Sequence, residues 1–134
     1  VPLNELLEQS DFVSLHPPLN TETHHMISDD EFKRMKPSAF IVNTARGAII
    51  DEAALARALK AKIIAGAGLD VFEHEPRVAG GLLKMPNVVV LPHLGSAVRE
   101  LREQMANIVV DNVIALIDGK RPPNIINPDA LASE

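Results

Sequence analysis

Three polar clusters in this sequence have the residue types and the setting for chemistry. Arg46 stands in Asn43-Thr44-Ala45-Arg46-Gly47, directly after an apolar run. A guanidinium offers paired donors that match a carboxylate bidentately. Asp70-Val71-Phe72-Glu73-His74-Glu75-Pro76 crowds three acids and a histidine into one short stretch. A carboxylate beside an imidazole fixes its tautomer. His93, in Leu91-Pro92-His93-Leu94-Gly95-Ser96, carries a group that gives and takes a proton near neutral pH. An arginine that clamps a carboxylate, an acid, and a histidine that protonates a carbonyl oxygen together suit reduction of a 2-oxo acid. The hydride has to come from elsewhere, which implies a nicotinamide cofactor. Each residue also has a plainer reading: Arg46 as the cap of a strand end, His93 as a structural histidine, the acidic stretch as a solvated loop.

Other candidates point away from chemistry. There is no HExxH, no Asp-rich calcium loop and no cysteine, so no metal site is expected. His24 and His25 are adjacent and on a regular strand would face opposite ways, which makes them surface residues. Gly66-Ala67-Gly68-Leu69-Asp70-Val71 imitates the start of a dinucleotide fingerprint. Its sixth position is Val, and the segment reads as the inside of a strand instead of the opening of a helix.

The elements that must hold these residues alternate. Leu3, Leu6 and Leu7 make the apolar side of a short helix between Pro2 and Ser10. Phe12 to Leu15 reads as a strand stopped by His16-Pro17-Pro18. Ser28-Asp29-Asp30-Glu31 is a capping box, opening a helix that turns Phe32 and Met35 inward and stops at Pro37. Ala39 to Asn43 is an apolar run of the kind covered on both faces of a parallel sheet. Asp51 N-caps a helix with Leu55, Ala58 and Leu59 on one side. Ile63 to Asp70 and Asn87 to Leu91 are further strands. Ser96 is the expected N-cap of the longest helix, whose apolar residues from Val98 to Leu116 recur at steps of three and four until Gly119. An extended tail follows from Lys120. Strands alternating with helices imply a parallel α/β sheet, in which ligands lie beyond the carboxyl ends of the strands. His16, Thr44 to Arg46, Asp70 to Glu75 and His93 all fall at those ends.

Composition sets bounds. The 134 residues, 46% hydrophobic and 23% charged, suit a packed domain. A net charge of −5 argues against nucleic acid or an anionic membrane as partner. No apolar run reaches the length of a membrane span, and the start lacks the regions of a signal peptide. The expected setting is cytoplasmic. The missing initiator Met suggests processing or truncation.

Taken in order, Ser14-Leu15-His16-Pro17-Pro18-Leu19, Asn43 to Gly47, Gly66 to Pro76 and Pro92-His93-Leu94-Gly95-Ser96-Ala97 resemble the C-terminal part of the D-isomer-specific 2-hydroxyacid dehydrogenases. The resemblance covers nearly the whole chain. His93 to Ala97 and Pro122-Pro123-Asn124 are most similar to the glyoxylate and hydroxypyruvate reductase branch. Phosphoglycerate dehydrogenase-like enzymes share most of these motifs, and a non-catalytic, corepressor-like or remnant relative would keep them too.

The resemblance implies catalytic roles for three residues. Arg46 would bind the substrate carboxylate, with His93 as acid/base and Glu75 as its partner. Thr44, Ala45, Arg46, Asp70, His93, Leu94 and Gly95 would border the nicotinamide end of the cofactor, and His16 and Pro17 its other side. The cofactor is NAD or NADP, undecided here. The substrate would be a small 2-oxo or 2-hydroxy acid, and the assembly a homodimer. The implied fold is a partial Rossmann-type doubly wound sheet lacking the first two strands and the glycine-rich loop. Residues 1–118 would belong to the cofactor-binding domain, and 119–134 would return to the substrate domain. If the strands of Phe12 and Phe40 are the third and fourth of the order 3-2-1-4-5-6, they are not neighbours, and the isolated chain would rearrange, swap, dimerise or be held by a missing partner segment; without the glycine-rich loop it would be inactive alone. At the helix end Lys60-Ala61-Lys62, where many relatives have Gly, a left-handed Ala61 would cost on the order of 1 kcal/mol.

Overall fold

The computed structural model describes residues 1–79 and 81–131. The chain divides into two compact units, Val1–Gly95 and Ser96–Glu134.

In the first unit the helices are α1 (Leu3–Gln9), α2 (Asp29–Arg34) and α3 (Glu52–Lys60). The strands are β1 (Phe12–Leu15), β2 (Phe40–Asn43), β3 (Gly66–Leu69) and β4 (Val88–Val90). All neighbouring strands are parallel, and their order in the sheet is their order in the chain. This is the predicted α/β class with a parallel sheet.

The separation of the Phe12 and Phe40 strands is overturned. β1 pairs directly with β2, with Phe12 opposite Phe40, and the two rings stack at 5.5 Å. A single crossover through α2 brings the chain back parallel to the next position, so β2 satisfies the backbone of β1 on that side. The expectation of rearrangement or swapping loses its basis with that gap.

The core lies on one face of the sheet. Val13, Leu15, Ile41, Ala67 and Leu69 point to it, and Leu7, Phe32, Met35, Leu55, Ala58 and Leu59 close it from the three helices. The period of two along the strands sends the intervening residues to the other face. There Phe40 is 41% exposed and Phe12 is 73% exposed, so the Phe40 run is covered on one side and not on both.

Local signals explain the helix ends. Glu31 accepts the Ser28 N–H at 3.1 Å within the expected capping box, and the Ser28 hydroxyl donates to Asp51 Oδ2 at 3.2 Å. Asp51 caps α3 by accepting the Ala54 N–H at 3.0 Å. These bonds hold its carboxyl below the usual aspartate range: the Ala54 N–H first, then the Ser28 hydroxyl, against the opposing effect of burial. At the other end of α3 the left-handed residue is Lys62, at φ 56°, while Ala61 stays helical at φ −82°. Ile63 N–H bonds Ala58 carbonyl at 2.8 Å and Lys62 N–H bonds Leu59 carbonyl at 3.2 Å. This is a Schellman closure with a lysine where glycine would be unstrained.

The second unit holds α4 (Arg99–Ile117) and a 3-10 turn at Pro128–Leu131. Val98 and not Ser96 is the N-cap of α4, and it makes no side-chain cap. The Ser96 carbonyl instead accepts Arg102 Nε at 3.3 Å. Gly119, at φ 68°, ends the helix as expected. After it, Asn124 and Asn112 exchange two bonds of 3.0 Å that tie the tail to α4. No helix among the described residues is long and apolar enough to cross a membrane.

Candidate active site

The carboxyl ends of the four strands carry the predicted residues. After β1, His16 is exposed and its Nε2 lies 2.8 Å from Ser14 Oγ. After β2, the buried Asn43 shapes the turn that presents Arg46. Its Oδ1 accepts the Ala45 N–H at 3.1 Å, and its Nδ2 donates to the Arg46 carbonyl at 2.9 Å. The Arg46 guanidinium stays exposed, with one bond of 2.7 Å from Nη1 to the Ala45 carbonyl. His16, Pro17, Ala45 and Arg46 line one open cleft of about 520 Å³. Thr44 is exposed at the same strand end.

After β3, Asp70 is 6% exposed, and its carboxylate grips the turn that follows β4. Oδ1 accepts the Leu94 N–H at 2.7 Å and Oδ2 the Gly95 N–H at 3.1 Å. His93, the residue before, is left-handed at φ 55°. For a non-glycine residue this is a strained conformation, of the kind that clusters at functional sites.

Glu75 meets His93 on this turn. Its Oε2 lies 2.9 Å from His93 Nδ1, and its Oε1 accepts the Phe72 N–H at 3.0 Å. The His93 bond is the main cause that holds the Glu75 carboxyl below the usual glutamate range. The Phe72 N–H adds to it, and so, more weakly, does the charge of Arg46. The charge of Arg46 thus reaches Glu75 as a minor influence beside the His93 bond. With Nδ1 engaged, His93 has Nε2 to offer. Both side chains are open to solvent, and they border a mostly apolar pocket of about 290 Å³ with Phe72, Leu91 and Pro92.

The sequence does not reveal how the Glu75 loop is held. Glu52, at the start of α3, is buried and accepts the N–H groups of Glu73 and Ala79. His25 is not on a strand facing away from His24. It takes a left-handed turn at φ 51°, the two rings stack at 4.1 Å, and His25 Nε2 lies 2.8 Å from Glu73 Oε1. Ligand-capable atoms of His24, His25 and Glu73 fall within 4.8 Å of one another, and the Glu73 oxygen is already engaged with His25 as a clamp on the loop. Only the helical start of α3 could have marked Glu52 in the sequence, because its partners lie 21 and 27 residues on.

Comparisons with known proteins place the chain in a family and match its fold. The profile of the D-isomer specific 2-hydroxyacid dehydrogenase, NAD binding domain, matches residues 1–95. A glyoxylate reductase of Thermococcus litoralis is 54% identical over 133 residues, 99% of this chain and 40% of the relative. The crystal structure of a glyoxylate reductase from Paecilomyes thermophila superposes with a TM-score of 0.84 at 46% identity, over 90% of this chain and 37% of that one. An NADPH-dependent glyoxylate/hydroxypyruvate reductase from Sinorhizobium meliloti, solved with NADP and malonate, gives a TM-score of 0.82 at 41% identity, over 86% of this chain and 36% of that one. The chain spans about 40% of the length of the curated relatives it matches.

Proposed function

The chain belongs to the D-isomer specific 2-hydroxyacid dehydrogenase family, and on that premise we propose that it carries the substrate-binding and proton-transfer residues of an enzyme that reduces glyoxylate and hydroxypyruvate to 2-hydroxy acids. The observation that carries the reading is the 2.9 Å contact of Glu75 with His93 Nδ1, within the field of Arg46. Glyoxylate and hydroxypyruvate are the substrates in the names of the similar enzymes.

The residues fit a nicotinamide cofactor. The cleft of His16, Pro17, Ala45 and Arg46 has an open wall of mixed polarity at the strand ends, where such cofactors lie. The Asp70 carboxylate has four acceptor sites and uses two on Leu94 and Gly95, leaving acceptors for a carboxamide. Thr44 and the His93 to Gly95 turn would border the same end. When bound, the cofactor supplies the hydride, and either NADH or NADPH is compatible with these residues.

The chain's own residues supply the rest. Arg46 is exposed and offers its guanidinium to the substrate carboxylate, which fixes the 2-oxo carbon in orientation. His93 Nε2 delivers a proton to the carbonyl oxygen as the alkoxide develops. Glu75 holds the ring by Nδ1 and so leaves Nε2 facing the substrate. The expected assembly is a homodimer, which sedimentation of a form extended to the relatives' length tests.

The deciding experiment follows NADH and NADPH consumption by that extended form with glyoxylate and hydroxypyruvate offered separately, beside His93→Ala. The proposal expects turnover in the parent and a loss of about 10²-fold or more in the variant, with cofactor binding kept. Near-normal turnover by His93→Ala removes the proton-donor role.

A further inference from the structure

Glu52 is the first residue of α3, a position where a glutamate is normally solvent-exposed and gains from the helix dipole. Here it is 5% exposed. A buried carboxylate is tolerated only when its oxygens are hydrogen-bonded. Both of its oxygens are used: Oε1 accepts the Glu73 N–H and Oε2 accepts the Ala79 N–H at 2.9 Å. Those two donors bracket Glu75.

Between the two anchored points Val78 packs against the core, and Glu75 also accepts the Phe72 N–H at 3.0 Å. The loop closes on itself through the Arg77 N–H and the His74 carbonyl, 2.9 Å apart. The Glu73 side chain is held in addition by His25. Glu75 reaches His93 from inside this bracket. Glu52 touches neither member of the pair, so any influence it has must pass through the loop backbone.

We infer that Glu52 is a positioning residue for the proton-transfer pair: by holding the Glu73 and Ala79 N–H groups on its two oxygens, it fixes the segment that sets Glu75 against His93. The inference rests on the roles proposed above for Glu75 and His93. A carboxylate suits this task better than an amide. It presents two acceptors to two converging donors, whereas glutamine would turn an NH2 group toward one of them.

The test is Glu52→Gln in a form extended to the relatives' length, with folding checked by circular dichroism. Two readouts are taken: kcat and KM for glyoxylate and for the nicotinamide cofactor, and the titration of the Glu75 carboxyl carbon by 13C NMR. A displaced general acid loses about 10- to 100-fold in kcat. The expected result is a loss of that order, an unchanged KM for the cofactor, and a Glu75 midpoint that moves up toward the ordinary glutamate value. A folded variant with parental kcat and an unmoved Glu75 titration overturns the inference, as does a fall in kcat with the Glu75 titration unmoved. Glu52→Asp keeps the charge, shortens the reach by one methylene and serves if the Gln variant does not fold. If neither folds, Glu52 holds the fold as a whole and the positioning role is overturned. If the parent itself reduces no 2-oxo acid, the enzymatic reading has failed, and the Glu75 titration still decides whether Glu52 sets the pair.

Discussion

Asp70 and Leu94 stand 24 residues apart in the chain and are joined by a 2.7 Å bond from the Leu94 N–H to Oδ1. Asp70 follows β3, and Leu94 follows β4. The bond therefore fixes the loop after one strand from the end of its neighbour, and His93 sits on that loop. Oδ2 takes the Gly95 N–H as a second hold. Hydrogen bonds to a charged acceptor are worth about 1.5–3 kcal/mol each, and losing this one group frees two donors. Asp70→Ala is expected to lower stability by about 2–4 kcal/mol in urea unfolding. It should also reduce turnover more than it weakens cofactor binding, since it releases the turn that carries His93.

Glu75 makes the pH dependence predictable. Its folded carboxyl is held below the ordinary value, chiefly by His93. The bond to His93 therefore contributes stability that is fully present above the unfolded glutamate pKa of about 4.3 and disappears as pH falls through the lower folded value. Thermal melts of the parent and of Glu75→Gln, taken from pH 7 down to pH 3, should differ by a constant amount above about pH 5 and converge toward the acid end. A difference that grows as the pH falls would contradict the pairing. Under the proposed function the same variant loses about 10²-fold or more in kcat at neutral pH, because the ring loses the group that orients it.

Lys62 offers a test in the opposite direction. It takes the left-handed position that closes α3, at φ 56°, where a side chain is strained by on the order of 1 kcal/mol. Its backbone bond to Leu59 does not depend on the side chain. Lys62→Gly is expected to raise stability by about 0.5–1 kcal/mol, net of the greater freedom of glycine in the unfolded chain. A denaturant midpoint at or below that of the parent would show that the lysine is not strained there.

These cases also show which parts of the molecule are legible in the sequence. Helix starts at Ser28 and Asp51 and the stop at Gly119 are written in residues that act on their own neighbours, so local chemistry is enough. Arg46, Asp70, Glu75 and His93 are legible because alternating strands and helices place them at one end of the sheet. The left-handed position falls at Lys62, one residue beyond Ala61, because the last turn of a helix is set by which carbonyls the chain can reach after it. The pairing of β1 with β2 follows the rule that consecutive elements lie side by side, whereas the order 3-2-1-4-5-6 would set the two strands apart. Glu52, Asn43 and His25 stay hidden for another reason. Their roles exist only once the loops they hold have come to them.

Gly47 shows how closely two of those loops approach. It follows Arg46 and is buried against the backbone of the acidic loop. A Cβ built on it would stand 1.9 Å from the Phe72 carbonyl carbon and 2.3 Å from the Glu73 nitrogen. Those atoms are backbone, so no side chain can swing aside, and the two loops would have to part. One of them carries Arg46 and the other Glu75, whose carboxyl feels the Arg46 charge. Overpacking of this kind costs roughly 1–3 kcal/mol or more. Gly47→Ala is expected to destabilise the chain by at least about 2 kcal/mol in urea unfolding. In whatever fraction stays folded, the parting of the loops should move the Glu75 titration upward and weaken binding of substrate carboxylate more than binding of cofactor. Parental stability and an unmoved Glu75 midpoint in Gly47→Ala would mean that the loops are not packed backbone to backbone.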